Sequence, residues 1–134
     1  MYLEVKKVEE KVFFGMWKDK PVLLGELYIL NSPVLTNWGV FEYSPTDLGT
    51  VKYLLQNYSF ESAIGHEATA KFLSQLTGVE IPVNRIAVKM KQNDLAIVFR
   101  VLQRLPEGKI LTETELQNYQ FELGLLKYYG KFYF

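Results

Sequence analysis

Leu23 to Leu30 is an apolar run broken only by Gly25 and Glu26, and it predicts a buried central strand. It changes in one step to the polar loop Asn31-Ser32-Pro33. That loop runs on through Asn37-Trp38-Gly39 before Val40 to Tyr43 returns as a short strand. Thr46 is the expected N-cap of an amphipathic helix over 47–56, with Leu48, Val51, Leu54 and Leu55 at helical spacing and Gly49 as its weak point. Residues 58–64 read as a short extended segment or loop. A second helix begins near His66, carries Phe72, Leu73 and Leu76 on its core face, and closes at Gly78, a residue suited to the left-handed C′ position.

From Arg85 the pattern alternates. Ile86, Val88 and Met90 lie on one face and Arg85, Ala87, Lys89 and Lys91 on the other, which predicts a half-buried strand with a basic outer face. Gln92-Asn93-Asp94 is then a hairpin turn into a more buried strand, Leu95 to Leu102. Thr112 with Glu115 forms a capping box for a short helix over 113–119, and Phe121 to Tyr129 is a last strand or strand-like tail. Strands and helices mix without strict alternation. The expected fold is therefore α+β, a single domain over 27–134 with one mixed sheet flanked by helices. Residues 1–26 form an N-terminal extension, a candidate hairpin around the turn Lys18-Asp19-Lys20-Pro21. Its five lysines face five acids, so it is no basic arm; an edge hairpin or a dimer contact is the simpler role.

A chain of 134 residues, 49% apolar, can bury a core of its own. Its net charge is zero, so any polyanion must be held by a local patch and no long nucleic acid is expected. The absence of cysteine excludes disulfides and thiolate metal sites, and a single histidine excludes a His-rich centre; a carboxylate magnesium site stays open but shows no signature spacing, and no metal or cofactor is expected. No signal peptide or membrane-spanning run stands out, which points to a soluble cytoplasmic protein, in the host cytoplasm if a virus or mobile element encodes it.

The residues able to do chemistry fall in two stretches. Ser62-Ala63-Ile64-Gly65-His66-Glu67-Ala68-Thr69 holds the histidine at a helix start, where free backbone amides favour an anion. Gln103-Arg104-Leu105-Pro106-Glu107-Gly108-Lys109 follows a buried strand and offers an arginine fork suited to phosphate oxygens. Each has a plainer reading: His66 as a structural histidine, Arg104 paired with Glu107 at the surface, Glu67 as a solvated first-turn acid, and Arg85, Lys89 and Lys91 as a solvated strand face. Taken together they are parts for metal-free phosphodiester cleavage. A ribose 2′-hydroxyl attacks the adjacent phosphate, an arginine stabilises the charge, and a histidine protonates the leaving oxygen.

Four blocks, Leu27-Tyr28-Ile29-Leu30-Asn31-Ser32, Ala63 to Thr69, Pro82-Val83-Asn84-Arg85-Ile86, and Gln103 to Leu111, occur in an order and spacing that resembles the ring-nuclease family best known as viral anti-CRISPR proteins of type III systems. The likeness covers about residues 27 to 129. It implies a small α+β homodimer that binds cyclic tetra-adenylate across its interface and cuts it without metal into linear di-adenylate, switching off type III CRISPR effectors. It also implies that His66 is the general acid and that Arg104 and Glu107 are active-site residues. Ligand contacts carry over to Asn31, Ser32, Thr36 and Asn37 of the polar loop, to Gly65 and Thr69 beside the histidine, to Arg85 of the Asn84-Arg85 pair, and to Gln103, Gly108 and Lys109. The chain departs from viral members at Ala68, where they carry a hydroxyl, and at Pro33 and Val34 in the polar loop. Two other classes stay open: a non-catalytic sensor or sponge for the same messenger, and an interaction protein using its aromatic C-terminus, Tyr128-Tyr129 and Phe132-Tyr133-Phe134.

Overall fold

The computed structural model describes residues 23–31, 37–102 and 112–131. They form an α+β domain around one five-stranded mixed sheet. In chain order the elements are β1 (Leu27–Asn31), β2 (Val40–Thr46), α1 (Leu48–Asn57), β3 (Glu61–Ser62), α2 (Glu67–Thr77), β4 (Leu95–Val101), α3 (Glu113–Leu116) and β5 (Phe121–Gly130). The sheet order is β2-β5-β4-β1-β3. β1 pairs parallel with both β3 and β4, whereas β5 pairs antiparallel with β4 and β2.

Strand alternation divides the apolar side chains between two faces. Leu27, Ile29, Leu95, Ile97, Phe99, Leu123 and Leu125 meet Val51, Leu54 and Leu55 of α1, Phe72 and Leu73 of α2, and Leu116 of α3. Phe72, Phe99 and Phe121 form an aromatic cluster there, with centroids 5.4–5.7 Å apart. The opposite face carries Leu30, Ala96, Val98, Leu126 and Tyr128, and no described helix packs on it. Val88 and Met90 cover part of it instead.

That placement corrects the expectation of a strand over 85–91. The alternation holds from 87 to 91, where Val88 and Met90 are buried and Ala87, Lys89 and Lys91 exposed, but Ile86, expected on the buried face, is exposed. However, the segment crosses the sheet face as a strap and joins no ladder. The turn at 92–93 is present, with Asn93 at φ 79° and the Asp94 amide donating to the Lys91 carbonyl, but it joins a strap to β4 and so closes no hairpin. β1 begins at Leu27, later than the apolar run suggests. Gly25 lies against the Asn93 carbonyl and the Asp94 carboxylate so closely that a Cβ would sit 2.7 Å from either oxygen. β2 extends past Tyr43 through Pro45 to Thr46, which an edge strand tolerates because a proline there forfeits no ladder bond. Thr46 is therefore strand, and Asp47 is the N-cap of α1, accepting from the Thr50 amide at 2.7 Å. α2 ends as expected at Gly78, φ 73°. The Thr112–Glu115 capping box is formed in both directions, although α3 closes at Leu116, short of 119. β5 is an interior strand between β2 and β4, so Tyr128 and Tyr129 are buried in the sheet and do not form an exposed edge.

Two polar devices hold the sheet end opposite the strand C-termini of β1 and β4. Buried Asp94 accepts from the Glu26 amide (2.9 Å) and the Lys91 amide (2.7 Å), tying the entries of β1 and β4 together. Glu42 and Lys127, both buried, stand opposite each other across β2 and β5; the Tyr129 hydroxyl donates to Glu42, and the Lys127 ammonium lies 5.9 Å from the Tyr129 ring. Burial lowers the Lys127 pKa from its ordinary value, and the Glu42 carboxylate opposes that shift.

Two outcomes follow for urea unfolding. Asp94→Ala removes the acceptor of two part-buried amides and should cost about 1–3 kcal/mol, with Asp94→Asn losing less because one acceptor remains. Lys127→Met should destabilise by about 3 kcal/mol by leaving Glu42 uncompensated, and adding Glu42→Gln should recover much of that loss; strictly additive losses would show that the pair is not coupled.

Candidate functional site

Because β1, β3 and β4 run the same way, all three end at one edge of the sheet, at Asn31, Ser62 and Val101. That edge is where open α/β sheets gather ligand-binding residues. β3 leads within four residues to His66, which is the N-cap of α2.

The turn that carries His66 is held by the chain that follows α2. The Ala63 amide donates to the Ile29 carbonyl at 2.9 Å, continuing the β3–β1 ladder. The Ser62 hydroxyl donates to the Pro82 carbonyl (2.7 Å) and accepts from the Ile64 amide (3.2 Å). The Asn84 amide side chain donates to the Ser62 carbonyl (2.7 Å), and the Asn84 backbone N–H donates to the Ile64 carbonyl (2.8 Å). One residue on, Arg85 Nη2 donates to the Gly65 carbonyl at 3.1 Å. Segment 82–85 thus lies beside 62–65 and satisfies its backbone groups.

His66 itself is half-buried and has extended backbone angles (φ −121°, ψ 130°). Its side chain makes no capping bond, while its carbonyl accepts from the Ala70 amide at 3.0 Å. The ring is therefore not spent on the helix, and the first-turn amides of α2 lack a side-chain cap from it. Glu67 pairs with Lys71 at 3.3 Å on the exposed side of α2, consistent with the solvated-acid reading.

The other expected contacts divide. Gly65 and Arg85 meet directly beside His66, and Asn31 ends β1 at the same edge. Thr69 lies in the first turn of α2 and is buried. Asn37 is elsewhere. Asn31 is level with Phe99 and Leu123, whereas Val40 pairs with Gly130; between Leu123 and Gly130 lie seven strand steps, about 23 Å. The Asn37 amide is occupied at that far edge, donating to the Met90 carbonyl (3.0 Å) and accepting from the Met90 N–H (3.3 Å). It ties the β1–β2 connection to the strap, and the structure does not bring it together with His66. Lys91 lies toward that far edge as well, since its amide donates to Asp94, whereas Arg85 of the expected basic face bonds the carbonyl of Gly65, the residue before the histidine. Ser32 and Thr36, and the block Gln103, Arg104, Glu107, Gly108 and Lys109, lie outside the described residues. β4 brings the chain to the candidate edge at Leu102, whose amide donates to the Gln120 carbonyl.

Some residues at or near this edge escape sequence reasoning. Arg100, near the end of β4, forms an ion pair with Glu122 at 3.1 Å, and Glu122 accepts from the Tyr43 hydroxyl at 2.8 Å. Burial and that bond push the Tyr43 phenol up to about 12, so it stays a donor. The pinning roles of Ser62 and Asn84 depend on a contact across 22 residues that no local pattern announces. An open groove of about 660 Å³ flanks α2 between Ala70, Ser74, Ile81 and Val83 and reaches Glu67; His66 and Arg85 are not among its lining. Among the described residues no group of three or more His, Asp or Glu side chains is placed to hold a metal ion, and no helix is long and apolar enough to cross a membrane.

Residues 27–123 match the model of the STIV B116-like family. The chain is 35% identical over 103 residues to the uncharacterized protein YddF of Bacillus subtilis, covering 75% of this chain and 95% of that one. It is 39% identical over 116 residues to the uncharacterized protein ORF117 of Acidianus two-tailed virus, 84% of this chain and 97% of that one. A similar match, 39% over 106 residues, joins it to the uncharacterized protein 26 of a Sulfolobus islandicus filamentous virus, covering 75% of this chain and 90% of that one. The fold resembles that of B116 of Sulfolobus turreted icosahedral virus, with a TM-score of 0.58 at 23% identity over 78% of this chain and all of that one.

Asn84→Ala removes one hydrogen bond from the turn that carries His66. The expected cost is about 1 kcal/mol of stability. Hydrogen exchange should accelerate at Ile64 more than at the α2 interior; uniform acceleration would show that Asn84 supports the fold at large and not this turn.

Proposed function

The chain belongs to the STIV B116-like family, and on that premise we propose that it is a metal-independent ring nuclease. It binds cyclic tetra-adenylate across a homodimer interface and cuts it to linear di-adenylate, switching off type III CRISPR signalling in the cytoplasm of the cell where it is made. The observation that carries this reading is the His66 turn: a histidine ring not spent on capping, at a helix N-terminus, with the Arg85 guanidinium hydrogen-bonded to the residue before it. The reading takes the ring as a general acid and the guanidinium, hydrogen-bonded one residue away, as a cation suited to phosphate.

The roles follow from the chemistry of an RNA phosphodiester. The 2′-hydroxyl oxygen bonds to phosphorus and the bond to the 5′-oxygen breaks. His66 gives its proton to that 5′-oxygen. Arg104 and Glu107, which follow β4 in sequence, are the remaining active-site residues of this proposal, the arginine for phosphate charge and the glutamate as a partner for the histidine. A ring of four nucleotides contains a two-fold axis, and so does a homodimer, so each protomer presents one His66 to one of two opposite phosphodiesters. Two copies of a local patch suffice, in keeping with zero net charge. The family's presence in archaeal viruses and in a bacterium accords with a part in conflict between cells and their parasites.

The test is incubation with cyclic tetra-adenylate in EDTA. The wild-type protein should yield linear di-adenylate; His66→Ala should bind the ring and leave it intact. Binding without cleavage by the wild-type protein would make it a sponge for the messenger, and no binding at all would refute the reading.

A further inference from the structure

We propose that the outer edge of β2 is a docking surface for this chain's own N-terminal extension, with residues 12–17 adding to it as an antiparallel sixth strand. The extension then guards the long open edge of the sheet against pairing with other chains. This is independent of the ring-nuclease reading. Residues 1–22 lie outside the described residues, and it is the receiving surface that points to them.

The apolar stretch of the extension calls for two covered faces. Val12, Phe14 and Met16 fall on one side of an extended chain and Phe13, Gly15 and Trp17 on the other, so a strand here is apolar on both. It cannot pair with the strand that follows its turn, because β1 already lies between β3 and β4. Two outer strands remain among the described residues, β3 and β2. β3 has two residues, and Asn84 occupies the Ser62 carbonyl and the Ile64 carbonyl just beyond. β2 has seven, and five of them, 40–44, precede Pro45, which has no N–H to offer an outer neighbour.

Burial at this corner agrees. Glu42 is 3% exposed although β2 is the outermost described strand, where a carboxylate ordinarily meets water. Lys127 and Tyr129 beside it are buried too. Yet Tyr129 belongs to neither apolar cluster, and the helix-side cluster has no member on β2 or on β5 beyond Leu125. α1 leaves β2 for β3, on the opposite side of the sheet.

The extension reaches this corner. Leu23 packs on the helix-side cluster, and the Glu26 carbonyl accepts from the Leu95 amide, which places the chain entry at the sheet edge where β2 begins. From β1 to a strand outside β2 is four spacings, about 19 Å. The six steps from Trp17 to Leu23 span up to about 20 Å. Residues 12–17 then end where β2 starts, so the pairing is antiparallel, Trp17 beside Val40 and Phe13 beside Ser44. Gly15 stands opposite Glu42, and Phe13 and Trp17 flank the carboxylate on its own face.

The test is residue-resolved amide exchange on the full chain, with Trp17 fluorescence read in Trp38→Phe, which leaves Trp17 as the sole tryptophan. The β2 amides that point away from β5 should exchange at least about 10-fold below free-peptide rates. Trp17 emission should be blue-shifted and shielded from acrylamide. Phe14→Pro, which removes a donor from the middle of the added strand, should abolish both signals while the Ile97 amide of β4 stays protected. Outer β2 amides at free-peptide rates, or a Trp17 open to acrylamide, would overturn the inference without reference to any strand-breaking variant. Protection that survives Phe14→Pro would overturn it as well. Its loss on dilution would then assign the edge to a second copy, and its loss on removal of residues 132–134 to the C-terminus.

Discussion

Parallel pairing governs this fold. β1 is flanked by β3 and β4, both running its own way, so after β1 and after β3 the chain must return to the opposite edge before it can re-enter the sheet, whereas antiparallel β5 starts from the edge where β4 ends. One face is closed by α1 and α2, whose apolar sides meet Ile29, Ile97 and Phe99. On the other face the strap crosses, with Val88 and Met90 as its anchors. The same constraint collects the C-terminal ends of three strands at one edge, and everything proposed as chemistry lies there or follows from there.

Within that edge, the His66 turn is shaped more by long-range hydrogen bonds than by apolar contact. β3 has only two residues and sits at the end of the sheet, so its outer carbonyls need partners. Asn84 and Ser62 supply and accept them, and this brings Arg85 onto Gly65. Residues 82–85 thus satisfy the edge strand and also set the Arg85 side chain against the turn that carries His66. At the far edge, Asp94 and the Asn37–Met90 pairing do comparable work without any group positioned for chemistry.

Much of the architecture was legible in the sequence because it depends on short-range signals. The apolar run of β1, the helical spacing of α1 and α2, Gly78 as a C-cap and the Thr112–Glu115 capping box each act within a few residues. What the sequence could not reveal depends on distance. The alternation over 85–91 records a buried and an exposed side, but a strap across a face and a strand in a ladder leave the same record. Asn37 and Asn31 look like one polar loop, yet Asn31 ends β1 at one edge and Asn37 is bonded to Met90 toward the other. Thr46 and Asp47 are adjacent N-cap candidates, and only the register of β2 through Thr46 against Leu123 decides between them. The site was legible in part for the same reason. The Gly65-His66 pair at a helix start is a local signal, whereas its meeting with Arg85 spans 20 residues.

The central claim is that a homodimer presents two His66 turns to one cyclic tetra-adenylate. Titration of that ring into the His66→Ala protein, followed by recovery of the ligand, tests it most directly. The account predicts saturation at one ring per two chains and recovery of the ring uncut. Saturation at one ring per chain, or no binding, would contradict it.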